Sequence, residues 1–225
     1  MALILNIETS TKNCSVCLAK DGAILALREL NDGNYSHAEK LHPFIKEVTE
    51  EAKISLTEID AVAVSKGPGS YTGLRIGVSA AKGLCFSLGK PLIAIETLEA
   101  LSYKVHIEQG LIVPMLDARR MEVYSAIFDS KHQKIRVIKA EVIDETSFLD
   151  ELNSCEVYFV GDGAEKCKTI IKHDNAFFIG DTYPSAIEMA KLSYVKYKKS
   201  DIEDVAYFEP FYLKDFVVTP EKKKI

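Results

Sequence analysis

The sequence predicts an α/β fold of two related parts, and three observations support this prediction. Short apolar runs separated by turn residues open the chain, helical segments with strands between them follow, and the second half repeats the pattern more weakly. Read in order, the first hundred residues give β-β-β-α-β-α-β. A hairpin-bearing sheet that leads into helical crossovers is a plan shared by several α/β folds.

The three opening runs span residues 2–7, 14–19 and 24–30. Asp21 and Gly22 stand between the second and third runs, and this pair favours the tight turn of a β-hairpin. We therefore predict that the second and third strands pair antiparallel. The remaining strands of this half are predicted over residues 61–64 and 92–95.

A first helix is predicted over residues 36–53. Ser36 and Glu39 have the spacing of a capping box, and Pro43 is expected to kink the helix or to shift its start. The apolar positions of this segment recur every three or four residues, as they do in a helix with one buried face. These positions are His37, Leu41, Phe44, Ile45, Val48 and Ala52.

The second helix, predicted over residues 71–88, is rich in glycine. Each glycine inside a helix costs about 1 kcal/mol relative to alanine, so a helix that contains Gly73, Gly77 and Gly83 needs tertiary contacts. Two explanations remain open: packing against the first helix of the same chain, or docking of a neighbouring subunit on the small-residue side. That side consists of Gly73, Gly77, Ala80 or Ala81, and Leu84.

The second half is predicted to form a second subdomain. Gly110 and residues 103–109 mark the predicted boundary, which divides the chain into residues 1–105 and residues 106–225. Strands are predicted near residues 112–116, 123–128, 135–138 and 157–160, and helices near residues 165–172 and 185–199.

The composition is that of a globular protein without a membrane anchor. The chain has 225 residues and a formal net charge of −5, so its body is a poor match for RNA. The first residues lack the basic region of a signal peptide, and no apolar run approaches the ~20 residues of a membrane span. We therefore expect a cytoplasmic protein. Its basic stretches, at residues 196–199 and in the tail Lys222–Lys224, are interpreted as a solvated helix face and a frayed terminus.

The five cysteines are scattered, which fits a reducing compartment better than a disulfide framework. Cys14 and Cys17 form a C-x-x-C, but they lie on a predicted strand, where residues three apart point to opposite faces. The sequence has no second pair that would complete a zinc site. A redox or metal role for this pair is therefore not expected.

The loop before the second helix contains Gly67, Pro68 and Gly69. Exposed N–H groups at the positive end of a helix suit an anion, but the segment lacks the lysine of a P-loop and offers only hydroxyls. Both a plain tight turn and an anion site remain open for this loop.

Several motifs resemble those of the TsaB (YeaZ) family, and the resemblance spans nearly the whole chain. The run from Gly67 to Arg75 is the most specific of them. The matching segments are Ile7-Glu8-Thr9-Ser10, Cys14-Ser15-Val16, Ser36-His37-x-Glu39, Gly67-Pro68-Gly69-Ser70-Tyr71-Thr72-Gly73-Leu74-Arg75, Ala81-Lys82-Gly83-Leu84, Gly89-Lys90-Pro91-Leu92, Asp117-Ala118-Arg119-Arg120-x-Glu122-Val123-Tyr124 and Pro210-x-Tyr212-Leu213.

This resemblance implies an actin-like (sugar kinase/Hsp70) fold and a role in making N6-threonylcarbamoyladenosine beside the tRNA anticodon. It further implies a complex with the related catalytic subunit TsaD and the ATPase TsaE, with tRNA contacted only through the complex. The first two helices would form the dimer surface, and the same surface would allow a homodimer. The implied interface residues are His37, Leu41, Phe44, Ile45, Gly73, Gly77, Ala80, Ala81 and Leu84.

The sequence departs from TsaD at the metal site. TsaD carries H-x-x-x-H after the strand that follows its Gly-Lys-Pro-Leu segment, whereas Thr97 and Leu101 occupy those positions here. A leucine cannot bind a cation and one hydroxyl binds too weakly. His37 and His42 cannot replace the pair, since five residues on a helix turn them about 140° apart. We therefore expect an accessory subunit that has neither a metal nor catalytic residues of its own.

Nucleotide binding is left as a vestigial possibility, with no cofactor predicted. Glu8, Thr9 and Ser10 stand where actin-like kinases begin their phosphate site, and Asp117, Arg119 and Arg120 form a charged cluster after a strand. Local capping by the carboxylate and a salt bridge are the alternatives. A small-molecule phosphotransferase that uses Glu8 and Asp117, and a metallopeptidase, are the competing functions.

Overall fold

The computed structural model describes residues 1–33 and 36–214. A short 3₁₀ turn, Leu56–Glu58, precedes the fourth strand. In chain order the other elements are β1 Leu3–Glu8, β2 Cys14–Lys20, β3 Ala23–Leu30, α1 His37–Ala52, β4 Ala61–Gly67, α2 Tyr71–Leu88, β5 Leu92–Glu96, α3 Thr97–Ser102, β6 Leu111–Asp117, β7 Glu122–Asp129, β8 Lys134–Val142, α4 Leu149–Ser154, β9 Val157–Val160, α5 Ala164–Cys167, β10 Ala176–Ile179 and α6 Ala186–Lys198.

The strands form two five-stranded sheets with the same topology. The first has the order β3-β2-β1-β4-β5 and the second β8-β7-β6-β9-β10. In each sheet the first three strands along the chain pair antiparallel, and the last two add in parallel on the other side of the first strand. This repeated arrangement confirms the predicted α/β, actin-like fold of two related parts.

The predicted hairpin is confirmed. Asp21 and Gly22 both have positive φ angles, 51° and 81°, and they join β2 to β3 with Lys20 opposite Ala23. Positive φ at both central residues is the geometry of the tight hairpin turn whose twist matches that of the flanking strands.

The capping box predicted for the first helix is wrong. The side chain of Ser36 makes no capping hydrogen bond, and helix α1 begins at His37 and includes Pro43, so the proline does not shift the start. A capping box does occur at Ser55 and Glu58. The Ser55 side chain accepts a hydrogen bond from a backbone amide of the short turn, and the Glu58 carboxylate accepts one from the Ser55 amide at 2.8 Å. The motif in the sequence was therefore assigned to the wrong serine.

Helices cover both faces of the first sheet. Helices α1 and α2 bury one face, where Leu5 and Val62 lie in the core. Helix α6 covers the opposite face, on which Ile4 and Ile93 contact Met189. The chain returns to the first sheet before α6. There the Asn13 side-chain amide donates a hydrogen bond to the Pro184 carbonyl at 2.9 Å.

The division at residues 105 and 106 stays a prediction, although α6 of the predicted C-terminal subdomain packs on the first sheet. The predicted helix near residues 165–172 is the shorter α5, and α3, α4 and β10 were not predicted. The tail Lys222–Lys224 lies outside the described residues. Across residues 1–33 and 36–214 we find no helix with both the length and the apolar character that a membrane crossing demands.

Candidate functional site

The small-residue side of α2 faces its own chain. A Cβ atom at Gly73 would lie 2.1 Å from the carbonyl oxygen of Thr9, and one at Gly77 would lie 2.2 Å from the Thr9 Oγ1 atom. The Thr9 hydroxyl also donates a hydrogen bond to the Gly73 carbonyl at 2.8 Å. The two glycines therefore allow the turn after β1 to approach the helix, which corrects the idea that they form a ridge for another subunit.

The predicted interface residues separate into two groups. Burial inside the chain leaves no surface for docking at His37, Leu41, Ile45, Gly73, Gly77 and Ala81. The side chains of Phe44, Ala80 and Leu84 remain partly exposed. His37 has a structural contact, since its Nε2 atom lies 2.7 Å from the Thr11 carbonyl oxygen, and burial lowers its pKa.

An apolar surface nevertheless remains where α1 meets α2. We call it the docking face and define it by Phe44, Ile76, Ala80, Gly83 and Leu84. The side chains of Phe44, Ile76, Ala80 and Leu84 pack against the core and remain partly exposed. Gly83 is exposed, and a Cβ atom there would meet no atom within 4 Å. The spacing of Ile76, Ala80 and Gly83, which places them on one side of α2, could have identified this face. The prediction centred instead on Gly73 and Gly77, on the neighbouring side of the helix.

Glu8, the last residue of β1 and one of the predicted phosphate-binding residues, has a structural role. The Glu8 carboxylate is fully buried, and its Oε1 atom accepts hydrogen bonds from the Ser10 amide at 2.6 Å and the Ser65 hydroxyl at 3.0 Å. Burial raises the pKa of Glu8 above its ordinary value of 4.5. Local capping, the alternative left open by the sequence, describes the observed role of this carboxylate.

We expect Glu8→Gln to flatten the pH dependence of stability. A raised pKa in the folded state means that folding takes up a proton, so the stability that Glu8 contributes declines as the pH rises above about 4.5, by at most about 1.4 kcal/mol per pH unit. Glutamine carries no titrating proton. The free energy of unfolding of the variant relative to the wild type, measured in urea between pH 4.5 and 8, should therefore increase with pH.

Glu188 is a second buried acid whose pKa is raised by burial, so the stability of the variant should still decline somewhat as the pH rises. Curves for wild type and variant that run parallel over the whole range would contradict the assignment of a raised pKa to Glu8.

A cleft of about 660 Å³ lies between the ends of the two sheets. One wall comes from the turn after β1 and the start of α2, the other from the end of β6, and the segment after α6 closes one side. Its lining includes Ser10, Thr11, Lys12, Gly69, Ser70, Thr72, Asp117, Arg119, Tyr124, Asp162, Phe211, Tyr212 and Lys214. The predicted residues Ser10, Asp117 and Arg119 therefore meet in one cavity, whereas Glu8 and Thr9 do not line it.

The turn between β6 and β7 holds Arg119 at the cleft in an unusual conformation. Arg119 and Arg120 have φ angles of 70° and 50°, a region that residues other than glycine and asparagine rarely adopt. The Asp117 carboxylate forms an ion pair with Lys166. Asp117 thus has the structural salt bridge that the sequence left as an alternative.

The glycine loop before α2 is shaped by close packing. A Cβ atom at Gly69 would lie 2.3 Å from the Ser10 carbonyl oxygen, and one at Gly67 would lie 2.7 Å from the Phe211 carbonyl oxygen. The Phe211 amide also donates a hydrogen bond to the Lys66 carbonyl at 2.7 Å. The loop is therefore a tight junction of three chain segments that also forms part of the cleft wall.

The positions of the H-x-x-x-H motif belong to the core. Thr97 and Leu101 lie on α3 and are fully buried, and Leu101 packs with Ile112 and Val160 of the second sheet. Within the part of the chain that the structure describes, no group of three or more histidine, cysteine, aspartate or glutamate side chains could hold a metal ion.

Cys14 and Cys17 lie on opposite faces of β2, as predicted. Cys14 joins the core under α1 and α2, and Cys17 joins the cluster under α6. Burial raises the pKa of Cys14 to about 11 and that of Cys17 to about 12. Both thiols are therefore protonated and poorly nucleophilic at neutral pH.

Comparisons with known proteins agree with this geometry. A model of the family "TsaD: tRNA N6-adenosine threonylcarbamoyltransferase" matches residues 32–219. The chain is 30% identical to the tRNA threonylcarbamoyladenosine biosynthesis protein TsaB of Escherichia coli K12, over 95% of both chains, and 28% identical to that of Haemophilus influenzae, over 95% of this chain and 94% of the relative. The structure of YeaZ from Pseudomonas aeruginosa superposes with a TM-score of 0.81 at 24% identity, covering 95% of this chain and 100% of that one. The chain belongs to the TsaB (YeaZ) branch of the TsaD family.

Proposed function

We propose that the chain is an accessory subunit that supports a TsaD-type enzyme in forming N6-threonylcarbamoyladenosine on tRNA, without catalysing a step itself. The observation that carries this proposal is the 30% identity to a TsaB protein over 95% of both chains. Placement of Thr97 and Leu101 in the core, where TsaD has its metal-binding histidines, adds support for an accessory role.

The docking face is the proposed contact with the TsaD-type subunit. Its partly exposed apolar side chains lie beside Gly83, where a partner's helix could approach the backbone closely. Because the TsaD family model matches this chain, the partner shares its fold, and its own first two helices would pack against α1 and α2. A homodimer would use the same face in the absence of the partner, and a TsaE-type ATPase would join the pair. The complex would work in the cytoplasm and contact tRNA through the other subunits.

The competing functions have less support. A phosphotransferase that uses Glu8 and Asp117 would need both carboxylates free at the cleft. Glu8 is buried and accepts a hydrogen bond from the Ser10 amide, and Asp117 forms an ion pair with Lys166. A metallopeptidase would need metal ligands at positions that Thr97 and Leu101 occupy.

A reconstituted reaction tests the proposal. The chain, its TsaD-type subunit and the TsaE-type ATPase from the same organism are combined with threonylcarbamoyl-adenylate and tRNA, and modified adenosine is quantified by mass spectrometry. We expect multiple turnovers only when the chain is present with the TsaD-type subunit, and none from the chain alone. Modification by the chain alone would show that it is the catalyst, and full turnover without it would remove its accessory role.

A further inference from the structure

A groove of about 390 Å³ lies on the side of α2 that adjoins the segment after α6, and we call it the lateral groove. Each of Arg75, Ser79 and Lys82 precedes a residue of the docking face by one position and is therefore turned about 100° away from that face around the helix. The groove is thus a separate surface. Its lining residues are Arg75, Val78, Ser79, Lys82, residues 208–210 and Tyr212.

The wall opposite α2 is held in place by the chain itself. Val205 and Phe208 pack against the core that α1 and α2 cover. The Lys82 Nζ atom donates hydrogen bonds to the carbonyl oxygens of Phe208 at 2.9 Å and Ala206 at 3.2 Å. Both walls are therefore fixed within the chain, and the groove exists before any partner binds.

The two cations of the lateral groove are positioned by neutral groups. The Arg75 guanidinium lies 4.1 Å from the centre of the Tyr71 ring and donates a hydrogen bond to the Tyr212 hydroxyl at 3.2 Å, while Lys82 binds the two carbonyls. Among the residues that the structure describes, neither cation forms an ion pair. Glu209 also lines the groove, but it contributes least to the raised pKa of Arg75, to which the hydrogen bond with Tyr212 contributes most. The positive charge of both side chains therefore remains available to a carboxylate of another molecule.

Two aromatic rings are exposed beside the lysine end of the groove. Phe86 and Tyr207 are 86% and 85% exposed, more than any other phenylalanine or tyrosine that the structure describes. Tyr207 lies between the two residues whose carbonyls bind Lys82, and Phe86 is one helical turn beyond Lys82 on α2. Exposed aromatic side chains next to a cation are typical of the residues that carry most of the binding energy in protein interfaces.

From these contacts we propose that the lateral groove binds an acidic peptide segment of a partner protein, with an apolar residue of that segment between Phe86 and Tyr207. Arg75 and Lys82 are two turns apart, about 10.5 Å along α2, so one small anion cannot contact both. Two glutamates three positions apart in a polyproline II segment are separated by about 9.3 Å and point to the same side, so one carboxylate can meet each cation. Because the groove is separate from the docking face, the proposal does not depend on the proposed function.

Calorimetric titration of the full chain with the peptide acetyl-Glu-Pro-Pro-Glu-Leu-Phe-amide tests the groove. The peptide should bind, less tightly at 500 mM than at 50 mM NaCl, and its version with two glutamines should bind at least about tenfold more weakly. Arg75→Gln and Lys82→Gln should each weaken binding about fivefold, the loss expected for one partly exposed ion pair, and Phe86→Ala by at least as much. Lys191→Gln is the matched control, because it removes the same charge from an exposed position of α6 and should leave the affinity unchanged.

The proposal would be overturned by no binding of the glutamate peptide at millimolar concentration, by equal binding of the glutamine peptide, or by an equal loss of affinity in Lys191→Gln. Self-association of the chain that Arg75→Gln abolishes, without peptide binding, would assign the groove to a second copy and would also overturn it. Thermal unfolding of each variant establishes that a loss of binding occurs in folded protein. Because Lys82 also holds the opposite wall, Arg75→Gln and Phe86→Ala, which change exposed side chains, decide the test if Lys82→Gln is destabilised.

Discussion

Replacing Gly73 with alanine should lower the free energy of unfolding by about 3 kcal/mol. The new Cβ atom would lie 2.1 Å from the backbone carbonyl oxygen of Thr9, and backbone cannot move aside as a flexible side chain can. Either the turn after β1 or helix α2 must shift, and the hydrogen bond from the Thr9 hydroxyl to the Gly73 carbonyl would be strained. Urea unfolding at neutral pH, monitored by circular dichroism, measures the change.

The same substitution at Gly83 is the control, because both glycines lie in α2. Gly83→Ala should raise the free energy of unfolding by about 1 kcal/mol, the ordinary gain of alanine over glycine in a helix, since a Cβ atom there meets nothing within 4 Å. Similar effects at the two positions would contradict the finding that one side of α2 is closed by Thr9 and the other is open.

Gly83→Arg should abolish association with the TsaD-type subunit while leaving the chain folded. The arginine would project from the docking face with its charge in the middle of an apolar contact, and burying an unpaired charge there should weaken binding at least about 100-fold. Its own fold should be as stable as that of the wild type, because the position is open. Size-exclusion chromatography of the mixture, followed by calorimetry, measures the loss.

Val195→Arg provides the matched control for this variant. Val195 is 49% exposed on α6, which covers the opposite face of the first sheet, so the substitution also puts an arginine on an exposed helix position. Its affinity for the partner should equal that of the wild type. Loss of association in both variants, or in neither, would mean that the partner does not bind at α1 and α2.

The sequence was most informative where local chemistry alone decides the structure. Asp21 and Gly22 predicted the hairpin because few dipeptides accept positive φ at both residues. Cys14 and Cys17 were placed on opposite faces because side chains alternate along a strand. Helix α2 was predicted with the bounds that are observed, since Ser70 caps its start and Gly89 ends it in the left-handed conformation.

The errors arose where distant segments meet. Gly73 and Gly77 were correctly interpreted as positions of close approach, but the sequence does not show that Thr9, more than sixty residues away, occupies that side. For the same reason Glu8, Thr9 and Ser10 were grouped as one phosphate site, although Ser10 lines the cleft and Glu8 and Thr9 do not. The short strand β10 was missed because four residues provide too little periodicity to recognise.

Hydrogen–deuterium exchange of the chain with and without its TsaD-type subunit tests the docking face most directly. The free edge of the second sheet is the competing surface, because β8 exposes Ile135 and Val137 at 61% and 68%. We expect the partner to slow exchange in peptides that cover residues 76–84 and Phe44, and to leave residues 134–142 unchanged. Slowed exchange confined to residues 134–142, or to α6, would contradict docking through α1 and α2.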